Sequence, residues 1–296
     1  DFWIEKPMGR SEVESREIAE GAIAKGLMTA VGFNYRQSPA IAHARELVRG
    51  GKLGKIYNVE VKMIADYVND PEGAFTWRYV NEFAGSGVLG DLMSHGFDLA
   101  QYVVDDITEI NAQSQIFIKE RREAEPGTSH FAKNASGKLR EVENEDWASG
   151  MMRFANGASG TFESSRISVG PSCEYSIEVR GSLGTVRWNF ERLTELEVAF
   201  RDAPEYGFTR ALSAPGDGDY GNFQPGRGIS MSFDDLKTIE ASLFIKSVLE
   251  RKQYAPSASD CYSAAECIAA AKRSIASGSW QKVNPVTTNR TTKDLK

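Results

Sequence analysis

The stretch GSGVLGDLMSHGFDLAQYVV, residues 85–104, combines a glycine pattern with residues suited to proton transfer. Its glycines spell G-x-G-x-x-G, which holds the pyrophosphate of a dinucleotide when it follows a buried strand and opens a helix. Residues 75–84, FTWRYVNEFA, instead carry two charges and an asparagine, unlike a buried parallel strand. Asp105 and Asp106 fall where an acidic residue should end a second strand, but they precede the next apolar run. We therefore interpret the glycine pattern as a false match to the dinucleotide fingerprint.

Asp91 and His95 lie four residues apart on a helix that is predicted to begin near Val88. This spacing places both side chains on one helix face, within reach of each other. A neighbouring carboxylate raises the pKa of an imidazole and fixes its orientation, as a proton-transferring histidine requires. A helix-stabilising ion pair accounts for the spacing equally well, and a metal pair lacks an evident third ligand.

The beginning of the chain predicts one parallel βαβ unit. Residues 1–7, DFWIEKP, are interpreted as a strand that runs into a turn, followed by an amphipathic helix over 11–26 with Glu14 placed for a capping box. Residues 27–36, LMTAVGFNYR, have the length and apolar character of a second strand. Because parallel strands need cover on both faces, we interpret this unit as the trailing edge of a larger doubly wound domain.

The rest of the chain predicts a larger sheet with flanking helices. The predicted helices cover residues 38–54, 232–251 and 259–277. The predicted strands cover residues 55–67, 107–120 and successive short runs between 147 and 201. Consecutive strands with short turns indicate a mostly antiparallel sheet, so the fold class is α/β with an α+β second domain. The polar segments 121–146 and 202–230 are expected to be irregular.

Composition and charge exclude several classes of partner. The 296 residues carry 35 basic and 41 acidic side chains, a net charge of −6, so neither nucleic acid nor a membrane surface is an expected partner. Cys173, Cys261 and Cys267 are scattered along the chain, which suggests buried free thiols and a reducing, cytoplasmic compartment, with neither disulfides nor a metal site. His43 and His130 are interpreted as surface or core residues.

Lys6 stands between the end of a strand and a proline, at the sheet edge where α/β folds bind ligands. Alone it would be interpreted as a solvated turn residue, but it occurs together with four other segments. The five segments are EKP (5–7), GFNYRQSP (32–39), KLGKI (52–56), WR (77–78) and GSGVLGDLMSHGFDLA (85–100). Their combination resembles the Gfo/Idh/MocA oxidoreductase family over nearly the whole chain.

This resemblance implies a domain organisation. Family members have an N-terminal Rossmann domain and a C-terminal α/β domain whose open, mostly antiparallel sheet binds substrate and often mediates oligomerisation. In the family, EKP lies at the end of the fifth Rossmann strand. We therefore expect residues 1–37 to be the C-terminal remnant of a dinucleotide-binding domain without its first four strands, and residues 38–296 to be the substrate-binding and oligomerisation domain.

The resemblance also implies roles for individual residues. Lys6 would hydrogen-bond the substrate hydroxyl, His95 would transfer its proton, and Asp91 would orient the substrate and His95. Cofactor contacts are implied for Glu5, Lys6, Pro7, Asn34, Trp77 and Arg78. Substrate contacts are implied for Tyr35, Arg36, Asp91 and His95. A lysine–histidine pair suits this chemistry because it offers a cation for a developing alkoxide and a base near neutrality. The glycines would then let the backbone approach closely where the helix enters the site.

These implications predict a nicotinamide-dependent oxidoreductase. The expected reaction is hydride transfer from a secondary hydroxyl of a sugar or cyclitol, such as C3 of a glucoside or levoglucosan, or inositol. The expected cofactor is NAD or NADP, and the expected assembly is a homo-oligomer, a dimer or tetramer formed through the open sheet. Two alternatives remain open: an NAD-dependent glycosidase on the same fold, and a non-catalytic binding or assembly module.

Overall fold

The beginning of the chain forms the predicted parallel pair of strands. The computed structural model describes residues 1–125, 128–129, 135–217 and 223–286. Strands β1 (Phe2–Ile4) and β2 (Thr29–Val31) pair in parallel, and helix α1 (Glu12–Ala24) connects them. The predicted βαβ unit is therefore confirmed.

The cap of α1 differs in one detail from the expected capping box. The Ser11 hydroxyl accepts a hydrogen bond of 3.2 Å from the Glu14 N–H, as predicted. The Glu14 carboxylate, however, accepts a hydrogen bond of 2.8 Å from the Arg10 N–H. The reciprocal half of the box is thus shifted by one residue, because Arg10 also offers its guanidinium to the same carboxylate.

The larger sheet is built mainly from consecutive antiparallel strands. The remaining strands of the described residues are β3 (Ile56–Ala65), β4 (Ala74–Phe75), β5 (Ile107–Gln115), β6 (Glu120–Glu123), β7 (Leu139–Glu141), β8 (Trp147–Phe154), β9 (Ser159–Ser165), β10 (Cys173–Gly181), β11 (Gly184–Asn189), β12 (Glu195–Phe200), β13 (Thr209–Leu212) and β14 (Gln281–Lys282). Nine of them form one sheet in the order β13-β12-β11-β10-β3-β9-β8-β5-β14. Neighbours run antiparallel except β3 and β9, which run parallel. The predicted mostly antiparallel sheet is therefore confirmed.

The two segments predicted to be irregular contain strands. β6 pairs with both β4 and β7 in a small separate sheet, and β13 extends the edge of the large sheet at β12. The sequence of β6, ERRE, lacks the apolar alternation that indicates a strand, because its buried residue is an arginine. Arg121 donates to the backbone carbonyls of Val68 and Asp70. Residues 126–127, 130–134 and 218–222 of these segments, including His130, lie outside the described residues.

The remaining helices of the described residues are α2 (Pro39–Arg49), α3 (Asn81–Ala84), α4 (Val88–Asp91), α5 (Met93–Val103), α6 (Phe233–Glu250) and α7 (Ala258–Ser277). Helices α2, α4, α5 and α7 pack against the large sheet, whereas α6 packs against β2 and the segment that follows it. Helix α5 approaches β3 so closely that a Cβ at Gly96 would lie 2.9 Å from the Val61 side chain. Within the described part of the chain, no helix combines the length and apolar character that a membrane crossing requires.

The opposite face of the sheet is left uncovered by these helices. On β3, Val59, Val61 and Met63 point into the core, whereas the intervening Glu60 and Lys62 are partly exposed. This alternation is the one predicted for residues 55–67. The sheet therefore holds the helices, and with them the site described below, on one side only.

Candidate active site

The glycines of the opening stretch permit close backbone contacts. Helix α3, not a strand, precedes them. Gly85 has φ of +76°, and a Cβ there would collide with the carbonyl oxygen of Arg10. A Cβ at Gly87 would collide with the carbonyl oxygen of Glu145, which accepts a hydrogen bond of 3.1 Å from the Val88 N–H at the start of α4. The structure thus agrees with the interpretation that these glycines serve the start of the helix.

The predicted helix over Asp91 and His95 is interrupted between them. Helix α4 ends at Asp91, α5 begins at Met93, and Leu92 with φ of −106° and ψ of −53° joins the two. Within the described residues, no hydrogen bond connects the Asp91 carboxylate to His95. The prediction that these two side chains pair directly is therefore wrong, although both face the same cavity.

Lys6 reaches Asp91 from the loop that follows β1. Its ammonium donates to the backbone carbonyl of Asp91 and lies 3.3 Å from the carboxylate oxygen Oδ1. Both side chains are mostly enclosed, with 16% and 27% of their surfaces exposed. The two residues come from segments 85 positions apart in the sequence. The turn after the strand and the end of α4 together therefore hold the lysine in place.

Two further donors fix the Asp91 carboxylate. The Tyr67 hydroxyl donates a hydrogen bond of 2.7 Å to Oδ2, and the Arg78 guanidinium lies 3.5 Å from Oδ1. Burial by itself would raise the pKa of Asp91, but the charges of Lys6 and Arg78 and the bond from Tyr67 outweigh it and lower this pKa well below its ordinary value. Asp91 is therefore ionised throughout the neutral range.

His95 lies in apolar surroundings beside this group. Its imidazole is 4.6 Å, centroid to centroid, from the ring of Tyr35 and 5.6 Å from that of Phe33, in edge-on geometry. Burial and the nearby Lys6 charge lower the pKa of His95 well below its ordinary value, and the Asp91 charge offsets this only partly. The predicted rise of this pKa is wrong, because burial and the Lys6 charge lower it by more than the Asp91 charge raises it. His95 is thus a neutral base near pH 7.

Two cavities meet at this group. The first cavity, of about 570 Å³, is lined by Lys6, Asp91, His95, Asn34, Tyr35, Tyr67, Tyr175, Cys173, Phe233 and Lys237, among others. The second cavity, of about 630 Å³, is lined by Pro7, Met8, Gly9, Arg10, Trp77, Ser86 and Gly87, among others. Four residues line both: Glu5, Lys6, Arg78 and Asp91. The lysine therefore stands at a junction that is open from two sides.

The residues expected to contact a cofactor divide between the two cavities. Pro7 and Trp77 line the second cavity, where the indole is 56% exposed and stacks on the Arg78 guanidinium at 4.9 Å. Asn34 lines the first cavity, and its buried Nδ2 has no hydrogen-bond partner within the described residues. Glu5 lines both cavities, and its carboxylate accepts a hydrogen bond of 2.9 Å from Lys237.

Arg36, expected to bind substrate, lies elsewhere. Its side chain is 3% exposed and donates from Nε to Asp98 at 2.6 Å, with a second bond from Nη2 to the same carboxylate. Nη2 also lies 3.4 Å from the Asp260 carboxylate at the start of α7. This corrects the expected role, because a guanidinium committed to two buried carboxylates has no access to either cavity. Arg36 instead ties the segment after β2 to helices α5 and α7.

Sequence reasoning missed several lining residues. Tyr67 lies two residues after the end of β3, so a position near a strand end was available as a signal, as it was for Lys6. Phe233 and Lys237 lie on α6, and nothing in the sequence indicates which part of the fold that helix covers. Cys173, predicted to be buried, is only partly buried and lines the first cavity, whereas Cys261 and Cys267 are buried as predicted. In the described residues no three metal-ligating side chains cluster.

Comparison with known proteins places this chain and its fold in a family. Residues 41–187 match the family model described as the GFO/IDH/MocA C-terminal domain. Levoglucosan dehydrogenase from Pseudarthrobacter phenanthrenivorans is 32% identical over 283 residues, which cover 94% of this chain and 73% of that protein. The solved structure of levoglucosan dehydrogenase with NADH and levoglucosan superposes with a TM-score of 0.88 at 31% identity, over 96% of this chain and 73% of the other.

A more distant relative has a different substrate in its name. scyllo-Inositol 2-dehydrogenase (NAD(+)) from Bacillus subtilis is 26% identical over 169 residues, which cover 56% of this chain and 42% of that enzyme. The chain belongs to the Gfo/Idh/MocA oxidoreductase family. The family and the fold inferred from the five sequence segments are thereby confirmed, and these relatives are dehydrogenases named for a sugar, a cyclitol or NAD.

Proposed function

We propose that the protein is a nicotinamide-dependent dehydrogenase that oxidises a secondary hydroxyl of a sugar or cyclitol. The observation that carries this proposal is the junction of the two cavities, where an enclosed lysine, an ionised aspartate and a neutral histidine lie together. The named activities of the relatives support the same chemistry. Such a junction suits a reaction between two bound molecules, one in each cavity.

Each of the three residues has a distinct part. The Lys6 ammonium, held by Asp91, donates a hydrogen bond to the substrate hydroxyl oxygen and stabilises the negative charge that develops there. His95, neutral because its pKa is lowered, accepts the hydroxyl proton. Asp91 stays ionised and keeps Lys6 charged and oriented. The family resemblance implied instead that Asp91 would orient the substrate and His95. Tyr67 and Arg78 hold the carboxylate in this position.

The residues around the second cavity fit a nicotinamide. Its volume of about 630 Å³ adjoins Lys6, and the exposed indole of Trp77 offers a flat surface at its wall. Glu5 lines both cavities and provides a carboxylate acceptor at the junction, and the unpartnered Nδ2 of Asn34 provides a donor from the side of the first cavity. The cofactor, NAD or NADP, supplies the hydride acceptor when bound. Pro7, Trp77 and Arg78 would then border it, and Lys6 would face both it and the substrate.

An assay of the intact protein tests this function. We expect a panel of sugars and cyclitols to include a substrate whose oxidation produces one reduced nicotinamide per molecule converted, with either NAD or NADP. Release of the reduced cofactor separates a dehydrogenase from a glycosidase that recycles a bound nicotinamide. Absence of cofactor reduction with every member of the panel, under conditions where the protein is folded, would contradict the proposal.

We also propose that the uncovered face of the large sheet joins copies of this chain into a dimer or tetramer in the cytoplasm. A concave region of this face, with a volume of about 700 Å³, includes Trp147, Met151 and Thr161. Met151 is 46% exposed although it is apolar, and the three cysteines are free thiols, as a reducing compartment favours. Light scattering should give the mass of an oligomer, and Thr161→Arg on this face should reduce it; a monomer would contradict the proposal.

A further inference from the structure

One wall of the first cavity comes from helix α6, which lies far along the chain from Lys6 and His95. Phe233 is the first residue of this helix, and Lys237 follows one turn later, so both occupy the same helix face. The start of the helix is fixed by a capping box between Ser232 and Asp235. Phe233 and Lys237 therefore have a defined position in the cavity wall.

Lys237 differs from the other two cations that line this cavity. Lys6 and Arg78 are both directed at Asp91. Lys237 makes a hydrogen bond of 2.9 Å to Glu5, and its side chain is 28% exposed. An ammonium carries three donors, so an ion pair with one carboxylate oxygen leaves capacity for another acceptor in the cavity.

Phe233 supplies an apolar surface beside this ammonium. Its ring centroid lies 6.4 Å from the rings of both Tyr35 and Phe190, as part of an aromatic cluster, yet the residue is 45% exposed. Small-molecule sites combine apolar and aromatic walls with a few placed polar groups that fix orientation. An aromatic ring next to a donor matches a sugar or cyclitol ring, which has C–H groups on its faces and oxygens at its edge.

We propose that Phe233 and Lys237 form a second recognition element that binds the part of the substrate away from the reacting carbon. Phe233 covers a C–H face of the ring, and Lys237 donates a hydrogen bond to a hydroxyl or ring oxygen, while Lys6 and His95 act on the carbon being oxidised. This inference rests on the proposed function and deepens it, because it assigns two residues to the choice among sugars and cyclitols.

Steady-state kinetics of the intact protein test the element. We expect Lys237→Gln to raise the KM for the sugar about tenfold, as loss of one charge-assisted hydrogen bond predicts, with kcat changed less than about threefold. Phe233→Leu should raise the same KM, and Lys237→Arg should restore much of the loss. The KM for the nicotinamide should stay unchanged. The matched control is Lys246→Gln, which makes the same change on the same helix at a residue outside the first-cavity lining.

A double variant separates substrate binding from an effect through Glu5. If Lys237 binds the substrate, Lys237→Gln raises the sugar KM by a similar factor in the Glu5→Gln background. If Lys237 only positions Glu5, Lys237→Gln alone raises the nicotinamide KM, and it does not raise the sugar KM in the Glu5→Gln background. That result overturns the inference. Unchanged sugar KM values in both α6 variants overturn it as well. If the unaltered protein oxidises no sugar or cyclitol, the proposed function and this inference fail together.

Discussion

Two ion pairs join the ends of the parallel strands to the same pair of consecutive helices, and they have opposite surroundings. Lys6 follows β1 and reaches Asp91 at the end of α4; Arg36 follows β2 and reaches Asp98 in α5. The first pair is 16% and 27% exposed and opens into both cavities, whereas the second is 3% and 2% exposed and opens into neither.

This difference shows how burial decides what an ion pair does. A buried pair must satisfy each of its charges internally, as Arg36 does with Asp98 and Asp260, and it then has no bond to offer a ligand. A pair at a cavity keeps access to bound molecules. We therefore expect substitutions in the Arg36 pair to affect mainly stability, and substitutions in the Lys6 pair to affect mainly catalysis.

The largest expected effect is the loss of stability in Arg36→Met. Removing the guanidinium leaves the Asp98 carboxylate buried without its cation, which costs about 3–5 kcal/mol of unfolding free energy. Urea denaturation of the variant and the unaltered protein measures this. The control is Arg187→Met, which breaks the partly exposed pair with Glu197 and should cost at most about 1 kcal/mol. Equal losses in both variants would show that burial does not distinguish the pairs.

Lys6→Met should have the converse effect. We expect kcat to fall by about 10²–10³, since the variant loses the donor to the developing alkoxide. The unfolding free energy should fall less than in Arg36→Met, because Tyr67 and Arg78 still hold the Asp91 carboxylate. Loss of the Lys6 charge also raises the pKa of His95, so the acidic limb of the residual rate should move to higher pH. Exposed Lys52 provides the control Lys52→Met. A variant that is inactive because it is unfolded would contradict the assignment of Lys6 to catalysis.

Glu240 represents a third situation, a buried acid without a nearby ion-pair partner in the described residues. It is fully buried on α6, and one oxygen accepts a hydrogen bond of 3.1 Å from the Trp3 indole, while the other has no partner within the described part of the chain. Burial raises the pKa of Glu240 to about 8, with Lys237 opposing the rise and Glu5 adding to it. The folded protein therefore keeps this carboxyl protonated at neutral pH.

This raised pKa predicts a stability that falls with rising pH. Between the unfolded value of 4.5 and the folded value of about 8, the folded state binds one more proton than the unfolded state. The free energy of unfolding then decreases by at most about 1.4 kcal/mol per pH unit, and levels off above pH 8. Glu240→Gln should remove this slope and, relative to the unaltered protein, gain about 3.5 kcal/mol of unfolding free energy between pH 5 and pH 8. Parallel pH profiles for the two proteins would contradict this.

The same contrast explains what could be predicted from the sequence. Alternating residues in β3 and the run of short strands after residue 147 specified the sheet, because their pattern is local. Lys6 and His95 were found through motifs. The sequence does not show that Arg36 is enclosed while Tyr35, its neighbour, lines a cavity, because that depends on Asp98 and Asp260 arriving from other helices. The lowered pKa of His95 likewise arises from burial by distant segments.

Tyr67→Phe is the mildest test, since it removes one hydroxyl and keeps the ring. The hydroxyl donates to Asp91 Oδ2 at 2.7 Å and steadies the carboxylate that holds Lys6. We expect kcat to fall about tenfold with a smaller change in the sugar KM, the size of one hydrogen bond to a charged group. Asp91 should remain ionised, because Lys6 and Arg78 still lower its pKa.

The matched control for this variant is Tyr175→Phe, which removes a hydroxyl from the same cavity. Within the described residues the Tyr175 hydroxyl makes no hydrogen bond to Asp91, so its loss should leave kcat nearly unchanged. If both variants lose kcat equally, the tyrosines shape the cavity and Tyr67 has no special tie to the Lys6 pair. If only Tyr67→Phe loses kcat, the position of the charge at the cavity depends on a neutral donor as well as on its cations.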